Sequence, residues 1–109
     1  MLTWEEFEKV DMRVGTILTA ENFPEARNPS YKMTIDFGEI GIKKTSAQVT
    51  VHYTPSTLMG RFVMGWVNAA PRQIGPFLSE FLLLGFADAQ GAIRLSTVDG
   101  EVPLGSKMC

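Results

Sequence analysis

The sequence contains only one cysteine and one histidine, so it has few of the residues from which catalytic and metal sites are most often built. A single cysteine, Cys109, cannot form an internal disulfide, and nothing therefore indicates an oxidising compartment. His52 belongs to no His–Cys cluster at metal-ligand spacing and to no recognisable Ser–His–Asp set, and a Gly-rich phosphate loop is missing. We predict a protein that is not an enzyme and needs no metal or cofactor, with His52 as a surface or packing residue.

Long apolar runs are missing as well. None approaches the length of a membrane span, and the N-terminal segment MLTWEEFEKVD is acidic where a signal peptide would be basic. The 109 residues fit one domain, and a content of 45% hydrophobic and 20% charged residues is that of a globular chain. We therefore expect a single domain, residues 1–109, that is cytoplasmic and not inserted in a membrane.

The net charge is only −2, which by itself argues against nucleic-acid binding. The charges are unevenly distributed, however. Residues 26–79 carry six basic and two acidic side chains, a net +4, whereas residues 1–25 and 80–109 are both net acidic. This count is compatible with a scatter of solvated charges and also with a basic binding surface.

The first ten residues are predicted to form a short helix. Thr3 and Glu6 have the spacing of a capping box, and Trp4, Phe7 and Val10 share one face of the helix. An apolar face on a terminal helix needs a partner, which is either the core of the domain or a second subunit.

Short strands dominate the rest of the sequence. A strand follows Asp11, and Gly15 indicates a bulge or sharp bend within it. A short helix begins at residues 54–56 and ends at Gly60. The other predicted strands cover residues 31–37, 42–50, 61–69, 81–86 and 92–97. This order predicts an all-β, five-stranded OB-fold barrel with a short N-terminal helix and a short helix between strands 3 and 4.

Two apolar runs are joined by a polar loop within WVNAAPRQIGPFLSE, residues 66–80. Its arginine, amides and hydroxyl are side chains that hold a phosphate or a base edge, but a polar loop that covers a barrel end would look the same. The aromatic residues divide similarly. Phe62, Trp66, Phe81 and Phe86 lie in the strongest apolar runs and are predicted to be core. Four others lie near loops and either pack there or stack on nucleotide bases, with Phe77 the best stacking candidate: Phe23, Tyr31, Tyr53 and Phe77.

Three stretches, KVDMRVGTI, SAQVTVHYTPSTLMGRFVMGWVN and PRQIGPFLSEFLLLG, resemble the tRNA-binding domain family. This OB-fold module is appended to some methionyl- and tyrosyl-tRNA synthetases and also occurs in free-standing tRNA-binding proteins. The match covers residues 9–107. Two further stretches, FPEARNPSYKMTIDFG and EIGIKKTSAQVT, are similar to the CsaA group of free-standing members.

The resemblance implies a homodimer that forms through the N-terminal helix, residues 1–10, and a C-terminal extension, residues 98–109. Trp4, Phe7 and Val10 would then lie in the interface. It also implies tRNA binding by shape more than by sequence, together with chaperone-like activity toward unfolded or export-bound precursor proteins. The residues that the resemblance places on the RNA side are Arg13, Lys43, Lys44, Ser46, Asn68, Arg72 and Ser79.

One departure from the family pattern leaves an alternative open. Many relatives have a Lys-rich tail or loop, and this chain has none. The alternative is a peptide-binding secretion chaperone whose tRNA binding is weak or vestigial. Its contacts would be the apolar residues of the same loop, Ile74, Phe77 and Leu78.

Overall fold

The computed structural model describes the whole chain, residues 1–109. Strands dominate it, as predicted, and the helices are short. In chain order the elements are α1 Trp4–Glu8, β1 Met12–Asn22, β2 Tyr31–Asp36, a 3-10 turn Gly38–Ile40, β3 Ile42–Ala47, α2 Pro55–Leu58, β4 Phe62–Trp66, β5 Arg72–Ile74, β6 Phe77–Ser79, β7 Leu82–Leu83, β8 Gly85–Ala87 and β9 Ile93–Leu95.

Five antiparallel strands form one sheet in the order β3-β2-β1-β4-β7. β1 is 11 residues long, and it pairs with β4 through its first half and with β2 through its second half. The two edges of the sheet meet where the Glu80 amide donates to the Lys44 carbonyl at 2.9 Å, so the sheet curls into a nearly closed barrel. The predicted OB-fold barrel is confirmed, as is the short helix α2 between strands 3 and 4.

The predicted bulge in β1 is present but not at Gly15. The register of β1 against β2 shifts between Ile17 and Thr19 instead. Gly15 is required by close packing, because a Cβ atom there would lie 2.5 Å from Ile35 Cγ2 and 2.9 Å from the Asp36 carbonyl oxygen. The prediction for Gly15 was therefore wrong in its cause, since sequence pattern cannot separate a glycine that bends a strand from one that lets two strands approach.

The core lies inside the barrel, where Phe37 and Phe81 make an edge-to-face contact with ring centroids 5.0 Å apart. Several aromatic residues expected near loops belong to this core, since Phe23, Tyr31 and Tyr53 are at most 7% exposed. Tyr31 is anchored by its hydroxyl, which donates to the Tyr53 carbonyl at 2.8 Å.

The prediction that Phe86 is core was wrong, because 73% of it is exposed. The expected strand over residues 81–86 is divided between two sheets. β7 joins the barrel, whereas β8 pairs with β9 in a separate two-stranded hairpin. Phe86 pairs with Arg94 in that hairpin, while Ile93 and Leu95 alternate to the side that packs on the core.

Helix α1 forms with the predicted capping box. The Thr3 hydroxyl accepts from the Glu6 amide, and the Glu6 carboxylate accepts from the Thr3 amide. None of its residues is buried, and Trp4 is 86% exposed. The apolar face of α1 therefore does not find its partner in the core of this chain.

Candidate functional site

The polar loop predicted between residues 66 and 80 forms a β-hairpin, β5–β6, that turns at Gly75. The pairs are Arg72 with Ser79, Gln73 with Leu78, and Ile74 with Phe77. Because paired residues share a face and neighbours alternate, one face carries Arg72, Ile74, Phe77 and Ser79, and the other carries Gln73 and Leu78. The three apolar residues of the predicted peptide site therefore do not form one surface.

The hairpin forms one wall of a groove with a volume of about 640 Å³. The other walls are the loop before β2, the end of β3 with the residues after it, the segment around β7, and the β8–β9 hairpin. Two arginines line this groove, Arg27 and Arg72, and no acidic residue does. The lining residues are Ala26, Arg27, Asn28, Ser30, Ser46, Ala47, Gln48, Val49, Arg72, Ile74, Leu82, Leu83, Leu84, Gly85, Gly91, Ile93 and Leu95.

Beside the groove, two lysines converge on the ring of Phe77. The ammonium nitrogens of Lys32 and Lys44 lie 5.9 and 5.4 Å from its centroid, and Lys32 also lies 5.3 Å from the centroid of Phe23. Phe23 and Phe77 contact each other edge to face at 5.4 Å. Lys32 makes an ion pair with Glu21 at 3.5 Å, whereas Lys44 makes none. A basic patch that contains an aromatic ring thus adjoins the groove.

The predicted RNA-facing residues of β3 are close to this site but do not share one face. Ser46 lines the groove, and the Lys44 side chain reaches Phe77. Lys43 precedes Lys44 in the strand, so its side chain points to the other side of the sheet, where it is half-buried.

Ser79 lies beneath the site, since only 7% of it is exposed. Its hydroxyl is 3.0 Å from Thr45 Oγ1 and accepts from the Ser46 amide at 3.4 Å. These bonds attach β6 to β3. Ser79, which the resemblance places on the RNA side, thus takes part in the packing of the domain, and its hydroxyl already has partners within the chain.

Asn68 and Arg13 lie together at helix α1, apart from the residues that line the groove. The side-chain oxygen of Asn68 accepts from the Asp11 amide at 2.9 Å and from Trp66 Nε1 at 2.7 Å, and its nitrogen donates to the Lys9 carbonyl at 2.7 Å. Arg13 makes an ion pair with Asp11 and donates to the Gly105 carbonyl at 3.0 Å. These contacts hold α1 and the C-terminal segment onto the barrel.

Several groove residues were missed by the sequence analysis. Arg27, Asn28 and Ser30 lie in the loop ENFPEARNPS, and Gln48 follows β3. The signal was an arginine between two prolines in a loop, which is weak until the fold places that loop opposite the hairpin. Lys32 was missed because it alternates with core residues in β2 and looked like an ordinary solvated lysine.

The β8–β9 hairpin, another wall of the groove, is fixed to the segment before α2. His52 Nε2 is 2.6 Å from Asp88 Oδ2, and the Leu95 amide donates to the Tyr53 hydroxyl at 2.9 Å. The hydrogen bond from His52 holds the pKa of Asp88 below its ordinary value, and the amides of Gln90 and Ala92 lower this pKa further. His52 is thus a packing residue, one of the two roles expected for it.

A second, smaller cavity of about 260 Å³ lies between α1 and the C-terminus. Trp4, Phe7 and Met108 line this cavity. Val10, two residues after the end of α1, is half-buried. The predicted interface residues Trp4 and Phe7 therefore lie next to the C-terminal extension, as an interface made by both ends of the chain requires.

A family model described as "Putative tRNA binding domain" matches residues 12–107. The chain belongs to the tRNA-binding domain family. It is 34% identical to the methionine–tRNA ligase of Porphyromonas gingivalis over 107 residues and 33% identical to that of Thermotoga maritima over 107 residues. Both matches cover 98% of this chain but only 15 to 16% of the length of the ligases, so the chain corresponds to a small part of each ligase.

Among solved structures, the tRNA-binding domain resembles the chaperone CsaA of Bacillus anthracis with a TM-score of 0.93 and 40% identity, over 100% of this chain and 99% of the other. The CsaA chaperone of Picrophilus torridus gives 0.91 and 42%, with both chains fully covered. A MetRS-related protein of Pyrococcus horikoshii gives 0.87 and 25%, over 100% and 98%. The domain is thus similar to CsaA proteins over its full length.

No helix has the length and apolar character to cross a membrane.

Proposed function

We propose that this protein is a non-catalytic, cytoplasmic tRNA-binding protein whose binding surface is the groove together with the adjoining Lys32–Lys44–Phe77 patch. One observation carries the proposal: the groove contains two arginines and no carboxylate, although the chain as a whole is net negative. Such an arrangement favours a polyanion over a neutral ligand.

The side chains around the groove suit a nucleic-acid backbone. The guanidinium groups of Arg27 and Arg72 present planar forks of donors to phosphate oxygens. Ser46, Gln48 and Asn28 add neutral donors and acceptors for riboses or base edges. Lys44, which has no carboxylate partner, is free to pair with a phosphate. Recognition by shape follows, because most of these groups address the backbone and few address bases.

A titration of the purified protein with tRNA, followed by amide chemical shifts, tests this placement. The expected result is that shifts concentrate in β3, in the β5–β6 hairpin and in residues 26–30. Shifts confined to α1 and the C-terminal segment would contradict it, and would return the interface to Arg13 and Asn68.

We propose a second activity, chaperone-like binding of unfolded or export-bound precursor polypeptides, because apolar residues share the groove with the arginines. Ile74, Leu82, Ile93 and Leu95 line it, and similar proteins are described as CsaA chaperones. Of the three residues predicted for peptide binding, Ile74, Phe77 and Leu78, only Ile74 lines the groove. The alternative is that peptide binding is the main activity and tRNA binding is weak. Competition between tRNA and a reduced, unfolded polypeptide for one sample separates the two, since the stronger ligand displaces the weaker.

The protein is proposed to act as a homodimer. Support comes from the exposed Trp4, the half-buried Phe7 and Val10, and the apolar cavity that α1 forms with Met108. The interface would combine residues 1–10 with residues 98–109. Burial of Trp4 and Phe7 against a second copy would remove the largest aromatic surface of α1 from water.

A further inference from the structure

The two walls of the groove that carry its arginines belong to no common sheet. Arg27 lies in the loop between β1 and β2, and Arg72 lies in the β5–β6 hairpin, which pairs only with itself. A cross-groove pair of cations can grip a phosphate backbone only if the distance between the two walls is fixed. Something other than strand pairing must therefore set that distance.

The contact between Phe23 and Phe77 joins these two walls. Phe23 begins the loop that carries Arg27, and Phe77 is in the hairpin that carries Arg72. The rings meet edge to face at 5.4 Å with an interplanar angle of 61°, a favourable aromatic geometry. Phe23 is only 3% exposed, and Phe77 packs against it.

Lys32 contacts both rings of this aromatic pair. It projects from β2 and places its ammonium over both rings, 5.3 Å from the centroid of Phe23 and 5.9 Å from that of Phe77. The same ammonium makes an ion pair at 3.5 Å with Glu21, its partner on the neighbouring strand. At the other end of the hairpin, Ser79 is bonded to Thr45. The hairpin is thus attached at two points, one of which is Phe77.

We infer that Phe77 is a positioning residue, which clamps the hairpin to the Arg27 loop so that Arg27 and Arg72 act as a pair on one stretch of nucleic-acid backbone. This inference rests on the proposed tRNA binding. It assigns Arg27 to the binding surface. It also gives Phe77 a role different from base stacking or peptide contact, since the ring is engaged by Phe23, Lys32 and Lys44.

The test has one arm that needs no ligand. Amide hydrogen exchange is measured on the free protein and on Phe77→Ala, Phe77→Leu and Phe77→Tyr. The clamp predicts that Phe77→Ala speeds the exchange of the β5 and β6 amides at least tenfold and leaves β1 and β2 unchanged. Phe77→Tyr, which keeps the ring, should match the wild type, and Phe77→Leu should lie between. The matched control is Phe86→Ala, an exposed phenylalanine in the other hairpin that does not line the groove.

The second arm measures tRNA affinity for the same variants and for Arg27→Ala, Arg72→Ala and the double variant. In the wild-type background the two arginines should be coupled. The fold-loss of tRNA affinity in the double variant should then be smaller than the product of the fold-losses in the two single variants. In the Phe77→Ala background this coupling should vanish, and tRNA affinity should fall about tenfold. Phe86→Ala should change neither quantity.

Each outcome decides the inference. Unchanged hairpin exchange in Phe77→Ala overturns the clamp, and loss of affinity with unchanged exchange shows that Phe77 contacts the RNA directly. Faster exchange with unchanged affinity and coupling overturns the link between the clamp and binding. If the wild type binds no tRNA, the proposed function fails together with the assigned pairing of arginines, while the exchange arm still decides whether Phe77 holds the hairpin.

Discussion

At the residue scale, Arg72 is the charged residue of the β5–β6 hairpin and one of the predicted RNA-binding residues. It lies on the inner face of the β5–β6 hairpin and lines the groove. Arg72→Ala should weaken tRNA binding by about 1–3 kcal/mol, the scale of a lost charged contact with nucleic acid. Thermal stability should hardly change, because the residue is exposed.

Arg94→Ala is the matched control for Arg72→Ala, since it removes the same charge from an exposed strand position that does not line the groove. A filter-binding or calorimetric titration of both variants at one salt concentration is the measurement. Equal losses in the two variants would mean that only total charge matters, and would remove Arg72 from the site.

Ser79 leads to the opposite expectation. Its buried hydroxyl bonds Thr45 and the Ser46 amide, so Ser79→Ala should lower the free energy of unfolding by about 1 kcal/mol. Its tRNA affinity should stay close to that of the wild type once the samples are folded. Urea unfolding and a binding titration on one preparation give both values. Full stability combined with weaker binding would restore Ser79 as an RNA contact.

The sequence does not distinguish Arg72, which lines the groove, from Ser79, which is buried, and the reason lies in the geometry of the hairpin. Both residues flank the same short turn, and both are polar. Whether a polar side chain near a turn faces solvent or a neighbouring strand depends on how the hairpin docks, which is a long-range contact. Asn68 shows the same limit. Its side-chain amide follows a strand and looks available for a ligand. In the structure, however, it accepts hydrogen bonds from the Asp11 amide and Trp66 and donates one to the Lys9 carbonyl at the end of α1.

At the element scale, alternation and capping signals predicted the strands of the barrel and both helices. The failures occurred where two elements meet. The run from Phe81 to Phe86 is uniformly apolar, so it contains no mark of the point where β7 leaves the barrel and β8 begins the second hairpin. The loop before β2 showed its arginine but not its position opposite β5–β6, because only the closed barrel brings the two together.

The β8–β9 hairpin is an element whose attachment should depend on pH. The pKa of Asp88 is lowered in the folded state, chiefly by the hydrogen bond from His52. A depressed carboxyl pKa gives stability that is present above the unfolded value, near 3.8, and is lost as the pH falls through the lower folded value. Acid unfolding of the wild type should therefore steepen below pH 3.8.

Asp88→Asn should flatten that acid dependence, since the variant has no carboxylate to protonate. Asp99→Asn is the control, because Asp99 is exposed and its carboxylate makes no hydrogen bond or ion pair within the chain. Stability is measured by urea unfolding at several pH values between 2 and 6. An identical pH dependence in the wild type and Asp88→Asn would show that the contact between His52 and Asp88 does not stabilise the hairpin.

Helix α1 supplies the prediction that leads from the element to the assembly. A stable protein–protein contact buries on the order of 1,200 Å² or more, and the exposed Trp4 offers the largest single contribution on α1. Trp4→Ala should shift the sedimentation of the protein from dimer toward monomer. Val51→Ala, which shortens another exposed apolar side chain, should leave it unchanged. A dimer that persists in Trp4→Ala at micromolar concentration would exclude α1 as the interface.

At the scale of the whole molecule, the uneven charge distribution decides how tRNA binding should respond to salt. Basic residues are concentrated in residues 26–79, and the fold gathers Arg27, Arg72, Lys32 and Lys44 around one groove and its adjoining patch. The acidic N-terminal segment does not lie at this surface. Helix α1 is held by hydrogen bonds from Asn68 and Lys107, neither of which lines the groove. A chain with a net charge of −2 thus presents a locally cationic surface.

This arrangement predicts binding that is dominated by counterion release. The logarithm of the tRNA association constant should fall linearly with the logarithm of salt concentration, by roughly 0.7 to 0.9 per phosphate contact. Arg72→Ala should reduce that slope by about 1, while Arg94→Ala should leave the slope unchanged. Titrations at four salt concentrations for the wild type and both variants provide the slopes. A binding constant that does not vary with salt would mean that tRNA is held by apolar contacts, and the groove would then be better explained as a polypeptide site.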